Sequence, residues 1–423
     1  MTRAASGGLL LAVIALSWAA LGVYWAHIVL VPAPILPPGF FVELFEIPDT
    51  TRPERFFVML LRESSLLLAV FVLPGLALAA AAWRAGARRL PPVAAALCAA
   101  ALAGSLFPVF QAHRVADAEG VPLSLSGYLS GYSFGTDRSP RTVTYARPDG
   151  SGEELRLDVW HPDGEEPSAR EHPAVVVVHG GGWRSGTRSQ FARWNDWLAG
   201  QGYVVFDIDY RLAPPSRWRA APADVSCAVE WVKENADRYD VDPERIALMG
   251  RSAGGHLALL TAYAETQPYT RSAGFPSGCG DGSADVAAVA AFYPPTDLVG
   301  LARGGHLAGM DTFLGGSLRA VPGRYHHSSP LERLSAGDPP TFLAHGGRDE
   351  IVPVEQSELL AGRLRRTGVP YDLVALPWAN HTFDFLWGGW GTQITRPTLD
   401  EFLSRHLAPD APPEARPGAG TAE

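Results

Sequence analysis

The pattern of apolar positions divides the chain into two parts. Residues 7–31, 66–83 and 91–110 are almost entirely apolar, and a helix needs about 20 such residues to cross a bilayer. The first run is too long for the core of a cleaved signal peptide, and no A-x-A cleavage site follows it. The pattern therefore predicts a transmembrane anchor of about three spans over residues 1–112.

Beyond residue 141 short β-branched runs alternate with helical patterns. The predicted strands are 142–146, 155–160, 174–178, 203–208, 246–249, 286–292, 341–344 and 371–376, and the predicted helices are 191–198, 224–236, 257–263, 355–366 and 395–406. This alternation predicts an α/β fold, a mostly parallel sheet flanked by helices, over residues 141–408. Residues 113–140 lack periodicity and are predicted to be a linker. Residues 409–423 are rich in Pro, Ala and Glu, which predicts a disordered tail.

Charge and cysteine content exclude some functions. The net charge is −9 and no basic stretch is interleaved with aromatic residues, so nucleic acid is not an expected partner. The chain has 3 cysteines and no C-x-x-C pair, so neither a cysteine zinc site nor a redox motif is predicted. We expect no metal and no cofactor. Cys227 and Cys279 are either a disulfide or two free thiols. The oligomeric state is not predicted.

The distribution of arginine indicates which side of the membrane each loop faces. Three arginines crowd the very short loop between the second and third spans: Arg84, Arg88 and Arg89. By the positive-inside rule this loop faces the cytoplasm, which places the α/β part outside. Three others, Arg52, Arg55 and Arg62, lie on the opposite loop and favour the reverse. We expect a multi-pass membrane protein with an extracytoplasmic α/β domain, and the opposite orientation stays open.

The first chemical motif is a serine between two glycines. Gly250-Arg251-Ser252-Ala253-Gly254 follows an apolar run and precedes a helical pattern. A G-x-S-x-G turn at a strand–helix junction is typical of a nucleophile elbow, in which small residues relieve the close backbone approach. This position predicts Ser252 as the nucleophile and the N–H of Ala253 as a donor to an oxyanion.

The second motif, His179-Gly180-Gly181-Gly182-Trp183, follows the strand 174–178. Tandem glycines allow backbone N–H groups to face a cavity, as an oxyanion hole requires. We expect the N–H groups of Gly181 and Gly182 to join that of Ala253.

Together these motifs carry a family resemblance. The order of residues 179–183, Asp209-Tyr210-Arg211-Leu212-Ala213-Pro214 and the elbow resembles the α/β-hydrolase esterases of the hormone-sensitive-lipase-like group, over about residues 141–407. That group usually has Asp and Asn where this chain has Arg251 and His256. The sequence is more similar to small bacterial carboxylesterases of the feruloyl-esterase-like and kynurenine-formamidase-like kind. The resemblance implies an α/β-hydrolase fold and structural roles for Asp209, Arg211 and Asp224.

In that fold the acid and the histidine follow the serine in that order. Asp349 lies in the loop after the strand 341–344, where the family keeps its acid, and His381 lies in the loop after the last strand. We expect His381 to be the general base and Asp349 to orient it. Glu350 is the nearest alternative acid, with Asp297 and Asp384 weaker.

Aromatic and basic residues near these motifs predict a substrate pocket. The candidate substrate-binding residues are Trp183, Arg251, Tyr293, Trp378 and Phe383, and residues 297–337 are long enough for a modest cap. The sequence predicts a membrane-anchored serine carboxylesterase acting on a small-molecule ester. An amidase, formamidase or peptidase with the same triad, and a non-catalytic binding module of hydrolase fold, are the alternatives.

Overall fold

A computed structural model describes residues 3–30, 62–131, 135–148, 153–162, 171–263, 283–306 and 309–408. These residues belong to two compact units. Unit 1 comprises Met1–Tyr132, Gly346–Glu350 and Leu376–Ile394, and unit 2 comprises Ser133–His345, Ile351–Ala375 and Thr395–Glu423. The predicted tail, Arg52, Arg55 and Cys279 lie outside the described residues.

Unit 1 is built on three long apolar helices. They are α1 (Arg3–Leu30), α2 (Ser65–Arg84) and α3 (Leu90–Ala118), followed by the short α4 (Leu125–Ser130). By length and composition each long helix could cross a membrane. They pack through small residues, including Ala15, Ala19, Ala79 and Ala94, which allow the close helix approach typical of membrane bundles.

The third helix differs from its predicted end. It continues to Ala118, into the segment predicted to be a linker, and α4 lies in that segment too. The apolar pattern stops near Phe110 because the following turns are polar, with Gln111, His113 and Arg114. At 1.5 Å per residue, a helix of this length is about 43 Å long, which exceeds the roughly 30 Å hydrocarbon core of a bilayer.

Unit 2 is organised around an eight-stranded sheet in the order β1-β2-β4-β3-β5-β6-β7-β8. The strands are β1 (Arg141–Ala146), β2 (Leu155–Trp160), β3 (His172–Val178), β4 (Val204–Ile208), β5 (Val241–Arg251), β6 (Ala288–Phe292), β7 (Thr341–Gly346) and β8 (Tyr371–Leu376). Strands β4, β3, β5, β6 and β7 pair in parallel, whereas β1 and β2 are antiparallel to their neighbours. The predicted mostly parallel sheet is confirmed.

Helices follow the parallel strands. They are α5 (Ala192–Gly200), α6 (Ala220–Glu234), α7 (Ala253–Ala262), α12 (Glu355–Thr367) and α13 (Trp390–His406). Four short helices, α8 (Leu298–Arg303), α9 (Met310–Leu314), α10 (Pro322–His327) and α11 (Pro330–Arg333), occupy the region expected to form a cap. The valine run of β3 is buried from residue 174 to 178, as expected for a parallel strand covered on both faces.

Candidate active site

Ser252 lies between β5 and α7 in a strained backbone conformation. Its φ is 52° and its ψ is −120°, a region that non-glycine residues rarely adopt. A Cβ on Gly250 would lie 2.2 Å from the carbonyl oxygen of Gly254, and one on Gly254 would lie 2.1 Å from that of Val178. Both positions therefore exclude any larger residue. The turn has the geometry of a nucleophile elbow.

The glycine loop after β3 approaches this turn closely. Gly181 and Gly182 have φ values of 121° and 60°, and a Cβ on Gly180 would lie 3.1 Å from the Arg251 carbonyl oxygen. Among the described residues, the N–H groups of Gly181, Gly182 and Ala253 donate to no backbone carbonyl. Unsatisfied N–H groups at a helix N-terminus and an adjoining loop are suited to bind an oxyanion.

His256 holds Trp183, the last residue of the glycine motif, in place. Trp183 Nε1 donates to His256 Nδ1 at 3.2 Å, and His256 Nε2 lies 2.6 Å from the Ser328 carbonyl oxygen. The imidazole is therefore neutral with its proton on Nε2. Burial lowers its pKa to about 4. The sequence analysis did not predict this role. The one hint in the sequence is that His256 stands where the hormone-sensitive-lipase-like group usually has Asn.

The Asp209–Arg211 segment braces the same loop, as the resemblance implied. Asp209 accepts from the backbone N–H of Arg188 at 2.9 Å and pairs with its guanidinium at 2.5 Å. Arg211 pairs with Asp224 through Nε and Nη2. Behind them, burial raises the pKa of Asp207 to about 7, and its Oδ2 accepts from Ser189 N and Asn195 Nδ2, both at 2.6 Å.

The acid and the histidine meet in unit 1. His381 Nδ1 lies 2.6 Å from Asp349 Oδ2, and both side chains are buried. Their loops are joined by backbone bonds, from Arg348 N to Ala379 O at 2.9 Å and from Gly347 N to Leu376 O at 2.8 Å. The contact leaves Nε2 of the imidazole as the atom that can exchange a proton.

Arg62, just before α2, links these two loops. Its Nη1 lies 2.7 Å from Glu350 Oε1 and 2.5 Å from Asn380 Oδ1, and its Nε donates to the Ile28 carbonyl oxygen at 2.9 Å. The side chain is only 3 % exposed. Glu350 and Asn380 lie 288 and 318 residues downstream of Arg62, so no local signal in the sequence could have revealed that it joins them.

The predicted substrate-binding residues are all buried. They are Trp183, Arg251, Tyr293, Trp378 and Phe383. The Arg251 guanidinium lies 4.2, 4.9 and 5.1 Å from the ring centroids of Phe191, Trp194 and Phe292. It packs inside the fold through cation–π contacts, and we do not retain it as a substrate ligand. Trp183 stacks on Phe313 at 4.8 Å.

No group of three or more His, Cys, Asp or Glu side chains in the part of the chain that the structure describes is arranged to hold a metal. Of the cysteines, Cys227 is disulfide-bonded and Cys98 is free. The structure therefore contradicts the alternative that Cys227 is a free thiol.

Comparison with known proteins shows which proteins the chain is similar to. The BD-FAE family model matches residues 157–364, a segment that includes Ser252 and Asp349 and ends before His381. The chain is 34% identical over 240 residues to Esterase LipC of Mycobacterium tuberculosis, covering 55% of this chain and 58% of that protein. It is 31% identical over 264 residues to the probable carboxylic ester hydrolase LipM of the same organism, covering 61% of this chain and 59% of LipM.

Among solved structures, Thermogutta terrifontis esterase 2 phosphorylated by paraoxon is similar, with a TM-score of 0.51 and 27% sequence identity. The match covers 64% of this chain and 96% of that one. The chain spans less than two thirds of the length of the two curated relatives. The resemblance inferred from the motifs is confirmed: this chain carries an α/β-hydrolase domain of the kind found in esterases.

Proposed function

We propose that the protein is a membrane-anchored serine carboxylesterase that acts through a Ser252–His381–Asp349 triad. The observation that carries the proposal is the 2.6 Å contact between His381 Nδ1 and Asp349 Oδ2. These two residues follow the elbow in the chain order that the α/β-hydrolase fold requires. The esterase relatives support the same reaction class.

In this mechanism Ser252 Oγ attacks the ester carbonyl while His381 Nε2 accepts its proton. The N–H groups of Gly181, Gly182 and Ala253 stabilise the oxyanion. The ester C–O bond then breaks and His381 returns the proton to the leaving alcohol. Water then attacks the acyl-enzyme carbonyl while His381 accepts its proton, the bond to Ser252 Oγ breaks, and Ser252 regains the proton as the carboxylic acid leaves. Asp349 holds the imidazole in the required tautomer and stabilises the imidazolium.

Aromatic residues are the candidates for the substrate pocket. Trp183 is fixed by its stack on Phe313 and its bond to His256, so it is a rigid candidate wall. Tyr293 directly follows β6 with a φ of 41°. Trp378 and Phe383 lie on either side of His381 in the same loop. We propose these four aromatic residues as candidate pocket residues.

We also propose that α1, α2 and α3 cross a bilayer and that the α/β domain lies outside the cytoplasm. Large apolar side chains are exposed along these helices, among them Val70, Leu73, Val93 and Phe110, which suits contact with lipid. The disulfide at Cys227 supports the outer location, because disulfides persist in oxidising compartments.

The test uses the full-length protein in detergent with 4-nitrophenyl butyrate. We expect hydrolysis by the native protein and loss of at least about 10⁴-fold in kcat for Ser252→Ala. Paraoxon should label the native protein at Ser252, whereas Ser130→Ala, which changes an exposed serine on α4, should keep both properties. Hydrolysis that survives Ser252→Ala would refute the proposal.

Amide and formamide substrates, assayed in parallel, separate an esterase from an amidase with the same triad. We expect the butyrate ester to react faster than the matching anilide, since the sequence is similar to those of esterases. A protein that cleaves none of these substrates and is not labelled by paraoxon would instead be a binding module.

A further inference from the structure

The residues around the Asp349–His381 pair are fixed to the end of an apolar helix. Arg348, next to Asp349, donates from Nη1 to the Val29 carbonyl oxygen at 2.8 Å. Arg62 joins Glu350 and Asn380 to the Ile28 carbonyl oxygen. Both carbonyls belong to the last turn of α1, where four carbonyl groups lack intrahelical donors. Two arginines therefore tie both catalytic loops to one helix end.

These contacts set the depth of the pair relative to the apolar spans. The first candidate span ends at Leu30 and the second begins at Ser65, so residues 28, 29 and 62 all lie at the ends of spans. The headgroup layer on each side of a bilayer is about 5–8 Å thick. Loops bound directly to the span ends therefore lie within this layer when the helices are inserted.

Half-buried aromatic residues lie on the same two segments. Tyr24 and Trp25, with ring centroids 5.1 Å apart, lie near the end of α1 and are half-buried. Trp387, half-buried, lies in the His381 loop. Trp and Tyr are enriched where membrane meets water. Their presence on both the helix end and the catalytic loop agrees with the depth inferred from the arginines.

Part of the charge at this level is neutralised, and apolar surface begins immediately below it. The Arg62 guanidinium is paired with Glu350, and burial raises the pKa of Glu63 to about 8, so that this carboxyl is mainly neutral at pH 7. Leu67, Val70 and Leu73 on α2 are 40%, 57% and 48% exposed. Hydrocarbon chains can therefore lie along α2 up to the level of Arg62.

We propose that the natural substrate is an ester that resides in the bilayer, with its acyl chain in the hydrocarbon core and its carbonyl at the headgroup level where Asp349 and His381 lie. This inference rests on the proposed esterase function. The reaction transfers the acyl group to Ser252 Oγ, releases the alcohol with a proton from His381, and then releases the carboxylic acid by hydrolysis. A simple tether for a soluble-ester enzyme would not require catalytic loops bound to the span ends.

The experiment uses the full-length protein in phosphatidylcholine nanodiscs. Two probes share one leaving group: 4-methylumbelliferyl oleate, which partitions into the bilayer, and 4-methylumbelliferyl butyrate, which stays largely in water. We expect a Ser252-dependent kcat/KM for the oleate at least about tenfold above that for the butyrate. Diluting the oleate with added phosphatidylcholine should lower its rate, while the butyrate rate stays constant.

The outcomes separate the two proposals. If the butyrate is hydrolysed in a Ser252-dependent reaction as efficiently as the oleate, or more so, the inference of a bilayer substrate is overturned and the esterase function stands. If neither ester is hydrolysed, the esterase function fails, and the inference that rests on it fails too. The Ser252→Ala protein in the same nanodiscs gives the background for both probes.

Discussion

At position 252 the backbone holds a serine at φ 52°, a conformation that costs about 1–3 kcal/mol and persists only where the surroundings enforce it. Here the enforcement comes from glycines at 250 and 254 and from the bond between Ser252 N and the Phe292 carbonyl oxygen, 2.9 Å long. Strain of this kind clusters at functional sites. The proposed nucleophile is therefore held in a strained conformation by the residues around it.

Asp349 and Glu350 are adjacent carboxylates with different environments. Asp349 contacts the imidazole and its side chain is fully buried, whereas the Glu350 side chain is 44% exposed and pairs with Arg62. We predict that Asp349→Asn lowers kcat on 4-nitrophenyl butyrate by about 10⁴-fold, because the amide favours the wrong tautomer of His381. Glu350→Gln should lower it far less. Equal losses in the two variants would mean that the acid is misassigned.

His256 makes stability depend on pH in a defined direction. The unfolded imidazole binds a proton near its usual pKa of 6.5, while the folded one does so only near pH 4. The stabilisation is therefore complete above pH 6.5 and is lost as the pH falls toward 4, by up to about 3 kcal/mol. We predict that the native melting temperature falls over this range more steeply than that of His256→Asn. Parallel curves would contradict this prediction.

At the scale of elements, Arg62 at the start of α2 joins two loops that carry the proposed acid and base. We predict that Arg62→Met lowers kcat by about 10- to 100-fold, because small displacements of the reacting groups are costly. KM should change little, and the pH–rate profile should shift because His381 is repositioned. Arg62→Lys should recover only part of the activity, since an ammonium lacks the guanidinium's planar fork.

The control for this experiment is Arg88→Met, at an exposed arginine between α2 and α3 whose guanidinium lies 4.7 Å from the Trp83 ring centroid. It should keep native kinetics. If Arg62→Met keeps the native kcat and its melting curve shows that it is folded, the loops hold their positions without the arginine. The prediction would then be wrong.

The sequence allowed the elements to be predicted where the physical signal is local. The valine run of β3, the elbow after β5 and the three apolar runs each correspond to an observed element. The end of α3 was predicted too early because its final turns are polar, and α4 was missed because it has only 6 residues. Strand order β2-β4-β3 could not be read from periodicity, which carries no pairing information.

At the candidate site, too, local motifs could be predicted from the sequence and long-range contacts could not. Motif positions predicted Ser252, Asp349 and His381 as candidates because each follows a strand in a fixed order, and the structure brings His381 to Asp349. The bonds of His256 to Trp183 and Ser328, and those of Arg62 to Glu350 and Asn380, join residues 72 or more positions apart. Arg251 was predicted to bind substrate, because the sequence could not show that its guanidinium packs against rings from separate segments of the chain.

At the scale of the whole molecule, the disulfide at Cys227 links stability to the redox state of the compartment. We predict that reductant lowers the unfolding free energy by about 2–4 kcal/mol, seen as a lower melting temperature. Cys227→Ser should melt at the reduced temperature with or without reductant. Cys98→Ser, at the free cysteine, should behave like the native protein. A native melting temperature that ignores reductant would argue against a structural disulfide.

Unit 1 draws its residues from the first 132 positions and from 346–350 and 376–394, and this has a consequence for synthesis. The ribosome delivers α1, α2 and α3 long before the strands of the sheet and the histidine loop exist. Arg62 is therefore synthesised 318 residues before its partner Asn380. The helices are already in place by then. Contacts of such long sequence separation form late and slowly. A nascent chain interrupted before residue 376 would carry a complete set of apolar helices whose arginine still lacks Asn380.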